Sequence, residues 1–295
     1  KSYKKANGKF GLISSLFSFT LLLAMLYFQG FAKLNDYLSL YFQDPLYLAL
    51  AFFGVIYVIN DILSIPFEWY STFVIEEKFG FNKTTKKTYI IDKLKSWLLT
   101  ILFGGGILSF IILQFESVGQ NFWIVAWIFI SVLTLLLNGL YAQIIVPLFN
   151  KQTKLEDGEL KSEIEKYSKK VGFNLSNIFV IDGSKRSTKA NAFFSGLGPR
   201  KTIALYDTLI EKHTENELVA VLAHEVGHFK KKHVFSGLLM SVIQIGVMAF
   251  FFELCLKLPE ISLALGGSGV SFHLGLIGFS IIFSPISMMS GILMN

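Results

Sequence analysis

Two histidines four residues apart bracket a glutamate in the run AHEVGH, residues 223–228. Imidazole nitrogen is a good donor to Zn2+, and four residues of helix make about 400°, so His224 and His228 project from one face roughly a turn apart. They can share one ion. Glu225 lies about 100° round the same helix, beside the position that a catalytic zinc leaves open for water. From there a carboxylate can take a proton from the activated water as it attacks a peptide carbonyl, then pass it to the departing amine. The expected cofactor is Zn2+, with His224 and His228 as ligands and Glu225 as general base.

This chemistry needs a helix and a third ligand. The stretch TENELVAVLAHEVGH supplies the helix: Thr214 and Glu217 have capping-box spacing, and Leu218, Val221, Leu222 and Phe229 form an apolar stripe. The third ligand is harder to find. After His228 the only acids are Glu253 and Glu260. Glu253 lies about 37 Å along the next helix at 1.5 Å per residue. Glu217 is on the motif's own face but about 10 Å back, and an upstream acid such as Asp207 stays open as an alternative. His213, His233 and His273 read as hydrogen-bonded or exposed side chains. The single cysteine, Cys255, allows neither an internal disulfide nor a thiolate cluster.

The rest of the chain is membrane in character. Of its 295 residues, 53% are hydrophobic and 30 are phenylalanine, with mean hydropathy +0.54. A net charge of +6 suits the lysine excess of membrane loops, and no nucleic-acid partner is expected. Six stretches could cross a bilayer: Phe10 to Ala32, Leu46 to Phe67, Ser96 to Phe115, a run within 117–150, Val234 to Phe252 and a run within 261–295. With the N-terminus inside, 25 of the 27 lysines and arginines fall on the cytoplasmic side, together with the motif. The third ligand is then expected beyond Asn295, where a sixth span would return the chain to that side. The first apolar run is too long for a signal peptide, and the chain starts at lysine, which suggests a fragment.

The expected fold class is therefore mainly α: a polytopic α-helical membrane protein with a small α+β zinc-metalloprotease unit. The domains read as a membrane region at 1–149 with a cytoplasmic loop at 68–95, a metalloprotease unit at 150–233 and a second membrane region at 234–295. The loop at 68–95 is amphipathic, and its readings as a solvated connection or as a gate or wall of the site stand level. In the polar unit, DGELKSEIEKYSKKVG predicts a helix with Leu160, Ile164, Tyr167 and Val171 on one face and Gly172 as its stop. IFVI (178–181), NAFF (191–194) and TIAL (202–205) predict short strands, separated by DGSKRSTKA and GLGPRK.

Several stretches together resemble the type I CAAX prenyl endoproteases, integral-membrane zinc metalloproteases that trim prenylated C-termini. They are KFGLISSLFS, FVIEEKFGFNKTT, PLFNKQTKLEDGELKSEIE, RSTKANAFFSGLGPRKTIALYDTLI and LVAVLAHEVGHFKKKH. The resemblance implies seven spans around an intramembrane chamber, with zinc near its cytoplasmic face. It also implies a third ligand from a glutamate in an E-x-x-x-D motif that this sequence lacks after His228, and a further span before KFGLIS. The chain is thus expected to be trimmed at both ends, and inactive if nothing follows Asn295. By the same resemblance, Asn191 and Ala192 bind substrate as an added strand. The alternative is a plain core strand with Phe193 or Phe194 buried. Lys185, Arg186, Lys189, Arg200 and Lys201 flank it, either as a solvated basic face or to meet a substrate carboxylate.

The expected partners are a polypeptide, prenylated or otherwise membrane-associated, and the lipid bilayer. Two alternatives stand beside this function: a quality-control protease for membrane proteins, and a non-catalytic scaffold or transporter with Asp61 as its intramembrane charge. The wealth of lysine, isoleucine and phenylalanine points to a bacterial inner membrane over the endoplasmic reticulum, which fits the topology equally, with the site facing the cytoplasm.

Overall fold

The structure is a computed structural model. It describes the backbone of residues 1–295 except 173–174, 196–200, 231–232 and 295, and the side chains of all but these and 176, 194–195, 201, 225, 228–230, 233–234, 290 and 292–294. Among the described residues, six helices are long and apolar enough to cross a bilayer: Ser2–Tyr27, Pro45–Glu76, Lys86–Val118, Phe122–Phe149, Phe235–Lys257 and Phe272–Met289. They correspond one to one with the six apolar runs.

Their ends differ from the sequence limits for physical reasons. The first helix stops at Tyr27 because Gln29 takes a left-handed conformation (φ 52°), and a separate helix, Gly30–Ser39, follows. The second and third helices extend beyond their apolar runs, so the loop expected at 68–95 shrinks to residues 77–85. Each carries a π-turn, at Ser71–Glu76 and Thr100–Gly104, which tolerates the extra residue without breaking the helix.

The chain forms two compact units. The first comprises 1–71, 99–128 and 244–295. Lipid tails give apolar helices no hydrophobic reason to pair, so close packing and polar anchors must hold them. Phenylalanine supplies the packing. Phe122, Phe252, Phe272, Phe279 and Phe283 join Ala49, Ile112, Ala126 and Leu256 in one core, with Phe252 edge-on to Phe272 at 5.7 Å between centroids. Phe31, Leu38, Phe52, Leu265 and Leu274 form another. The buried Glu253 is a polar anchor: it accepts the Trp123 main-chain N–H at 2.8 Å and pairs with Lys257 at 2.5 Å. It thereby satisfies an open N–H in the first turn of the span starting at Phe122. His273, also buried, is hydrogen-bonded to Asn35 Oδ1 at 2.7 Å.

The second unit comprises 72–98 and 129–243. Its sheet has four strands, β1 (Gln152–Lys154), β2 (Leu175–Ile181), β3 (Ala192–Ser195) and β4 (Lys201–Tyr206), in the order β1-β2-β4-β3. β2 and β4 run parallel, and the outer strands are antiparallel to their neighbours. IFVI and TIAL fall in β2 and β4, and NAFF overlaps β3 from Ala192 on, with Asn191 just before it. β1 carries no apolar alternation, because an edge strand needs only one partner's main-chain bonds. The helix Glu159–Lys170 ends where Gly172 adopts φ +65°, a conformation a Cβ would disfavour. On one face of the sheet, Ile164 of this helix packs with Ile178, Ile203 and Leu205. On the other, Val146 meets Ile181 and Ala204, with Phe193 beside them.

Candidate functional site

The motif lies on one helix, Glu215–Lys230. Its start is capped as the Thr214–Glu217 spacing predicts, though with the carboxylate taking both bonds: Glu217 Oε2 accepts the Thr214 main-chain N–H at 2.8 Å and its hydroxyl at 3.0 Å. Those donors, with a smaller contribution from His213, hold the Glu217 carboxyl below the usual carboxylate range. The stabilisation is full above the ordinary value of about 4.3 and is lost as pH falls through the lowered one. Glu217→Gln should therefore weaken thermal stability at neutral pH and progressively less as the medium is made acidic, measured as Tm against pH.

Leu218 and Leu222 are 1% exposed, and Val226 is 2% exposed. Leu218 and Leu222 belong to the core beneath the sheet. Positions 218, 222 and 226 repeat every four residues, and His224 stands about 200° from both Leu222 and Val226. It is exposed, as that geometry requires. The unbroken helix also carries Glu225 and His228, whose side chains, like those of Phe229 and His233, lie outside the described residues. Four residues of continuous helix bring two side-chain bases within about 5–6 Å, so this donor set fits a zinc ion on chemical grounds. Val226 was not anticipated, although its i+4 spacing from Leu222 could have revealed it.

The acids weighed as a third ligand are committed elsewhere. Asp207 accepts the Ser184 main-chain N–H at 2.8 Å and the Thr208 N–H at 2.7 Å, and it binds the Ser184 hydroxyl. Glu217 is bound to Thr214 and Glu253 to Trp123 and Lys257. Among the described residues, no three His, Cys, Asp or Glu side chains cluster as a metal site.

The expected substrate residues sit at the sheet's edge. Among the described residues β3 pairs only with β4, with Ala192 opposite Leu205 and Phe193 opposite Ala204. The Asn191 carbonyl accepts the Tyr206 N–H at 3.0 Å. Hydrogen-bonded pairs alternate along an antiparallel ladder, so Ala192, next in register, turns its main-chain N–H and C=O outward. That N–H donates to the Asn191 side-chain carbonyl at 3.0 Å. The Ala192 side chain packs against the same core as Leu218 and Leu222 of the motif helix. Phe193 points to the opposite face, edge-on to Tyr141 at 5.9 Å. The side chains of Phe194 and Lys201, and residues 196–200 with Arg200 among them, lie outside the described residues.

Two flanking cations already have carboxylate partners, Arg186 largely shielded and Lys189 still 44% exposed. Arg186 makes a two-pronged ion pair with Asp92 at 2.7 and 2.8 Å, and Lys189 pairs with Glu76 at 2.5 Å. These partners are 94 and 113 residues away in sequence, and no local pattern announces them.

Both halves of the chain are similar to known proteins. Residues 1–151 match the family model described as CAAX prenyl protease N-terminal, five membrane helices, and residues 154–293 match Peptidase family M48. CAAX prenyl protease 1 of Saccharomyces cerevisiae is 45% identical over 178 residues, covering 60% of this chain and 39% of that protein. The Dictyostelium discoideum homolog is 39% identical over 235 residues, covering 78% of this chain and 55% of its own length. The chain thus spans about half the length of these relatives or less. The crystal structure of Saccharomyces mikatae Ste24p superposes with a TM-score of 0.91 at 32% identity, covering 99% of this chain and 73% of that one.

These matches overturn the expectation of a bacterial inner membrane. The relatives come from yeasts, a slime mould, plants and animals, which favours the endoplasmic reticulum. Lysine, isoleucine and phenylalanine were a poor guide because every bilayer selects for the same hydropathy and charge asymmetry. With both halves of the chain matched in order, and the whole superposing on a solved relative, the chain belongs to the CAAX prenyl protease family of M48 peptidases.

Proposed function

We propose that this chain is the core of a membrane zinc endopeptidase that cleaves near the C-terminus of prenylated, CAAX-type polypeptides. Membership of the family implies a metal cofactor, and the donor set argues that the metal is zinc. The observation that carries the reading is a continuous helix bearing His224, Glu225 and His228, packed in one core with the edge strand that begins at Ala192.

His224 and His228 would hold the ion. When bound, zinc polarises the scissile carbonyl and lowers the pKa of water towards 7. The Glu225 carboxylate accepts a proton from the attacking water and delivers it to the leaving nitrogen. Asn191 and Ala192 align the substrate: an extended peptide adds to the free edge of β3, taking the Ala192 N–H that the Asn191 side chain otherwise occupies. Asp207, Glu217 and Glu253 each serve a main-chain N–H, and none of them is assigned to the metal.

The test is cleavage of a farnesylated peptide ending in CaaX beside its unprenylated twin, with and without a chelator. Chelator-sensitive cleavage favouring the farnesylated peptide is expected. Equal cleavage of both would instead favour a general protease of membrane proteins. Absence of cleavage from the full-length protein would contradict both. In the same assay Ala192→Pro, which removes the outward N–H, should raise KM by about tenfold.

A further inference from the structure

We infer that Arg186 is a positioning residue that sets the free edge of β3 for substrate, an inference that rests on the function proposed above. Segment 183–189 leads directly into Asn191 and Ala192, and it is held on two sides. On one side it joins residues 80–84. The Arg186 carbonyl accepts the Lys83 N–H at 3.0 Å and the Thr84 hydroxyl at 3.1 Å, and Thr188 donates its N–H to the Phe81 carbonyl and its hydroxyl to the Gly80 carbonyl, both at 3.0 Å. Asn82 and Ser187 form an isolated antiparallel bridge.

On the other side the segment joins the turn after β4. Ser184 is bound by Asp207, and the Thr208 hydroxyl donates to the Lys189 carbonyl at 2.9 Å. Gly183 lies so close to the Tyr206 ring that a Cβ there would collide with it.

Arg186 joins these contacts to the membrane helices. Its guanidinium grips Asp92, in the first turns of the helix that starts at Lys86, with both side chains little more than one-fifth exposed. The same group donates at 2.6 Å to the Phe149 carbonyl, at the end of the helix Phe122–Phe149. That carbonyl is one a helix end leaves open. One planar side chain therefore ties two helix ends to the strand's entry loop, with a fork that lysine cannot reproduce. Among the described residues, neither the Arg186 guanidinium nor Asp92 bonds to the motif helix. Loosening the clasp should weaken strand pairing and spare the chemical step.

In the full-length enzyme acting on the farnesylated peptide, Arg186→Gln should raise KM by about tenfold with kcat changed less than about twofold and zinc content unaltered. Asp92→Asn should give the same split, and the double variant should be no worse than either single change. Arg186→Lys should recover part of the loss, since it keeps the charge and not the fork. If Arg186→Gln does not fold, Asp92→Asn and Arg186→Lys carry the same test. An unchanged KM, a fall in kcat alone, or single effects that multiply in the double variant would overturn the inference. A wild-type enzyme that cleaves nothing would count against the proposed function instead.

Discussion

Glu225→Gln is expected to abolish most peptidase activity, lowering kcat by roughly 100- to 10,000-fold, while the protein keeps its fold and its zinc. Glutamine matches glutamate in shape and nearly in helix propensity, so the helix Glu215–Lys230 should form unchanged on its buried leucines. What disappears is the group that accepts a proton at neutral pH, and positioned acid–base groups contribute about that range to rate. An amide can still donate a hydrogen bond to an oxygen, so substrate should bind with little change in KM. The measurement is kcat and KM on a farnesylated peptide, with zinc content on the same preparation. Retained turnover would remove Glu225 from the mechanism.

His228→Ala is expected to act at an earlier point, by losing the metal itself. Positions 224 and 228 lie about one turn apart on the helix, and a catalytic zinc has only three protein ligands, so removing one leaves too few to hold the ion. Even partners outside the ligand shell cost roughly 10–100-fold in affinity when removed, and a ligand should cost more. Alanine is the best helix former, and His224 shows that this face is exposed, so His224→Ala should behave alike without unfolding the helix. Zinc per polypeptide after dialysis against a weak chelator should fall from near one to near zero in both variants and stay near one in Glu225→Gln. Equal zinc in all three would mean that the metal is held elsewhere.

The features legible in sequence were those with a local period. The capped helix, its Leu218 and Leu222 stripe and the strands β2, β3 and β4 all follow from spacing within one element, and the structure places them there. β1 escaped notice because a polar edge strand has no period to read. The break at Gln29 was hidden because the apolar run continues across it, and only the backbone conformation reveals two helices. The clasp of Arg186 on Asp92 joins residues far apart in the chain through a single pair of charges. Nothing local separates such a pair from a solvated basic loop, which is how this one first reads. The outward N–H of Ala192 likewise depends on register with β4, which sequence alone does not set.

X-ray absorption at the zinc edge of the full-length protein addresses the histidine pair most directly. Two imidazole nitrogens at about 2.0–2.1 Å in the wild-type first shell, with no protein-bound zinc signal left in His224→Ala or His228→Ala, is the expected result. A first shell without imidazole, or one that both substitutions leave unaltered, would show that AHEVGH does not hold the metal.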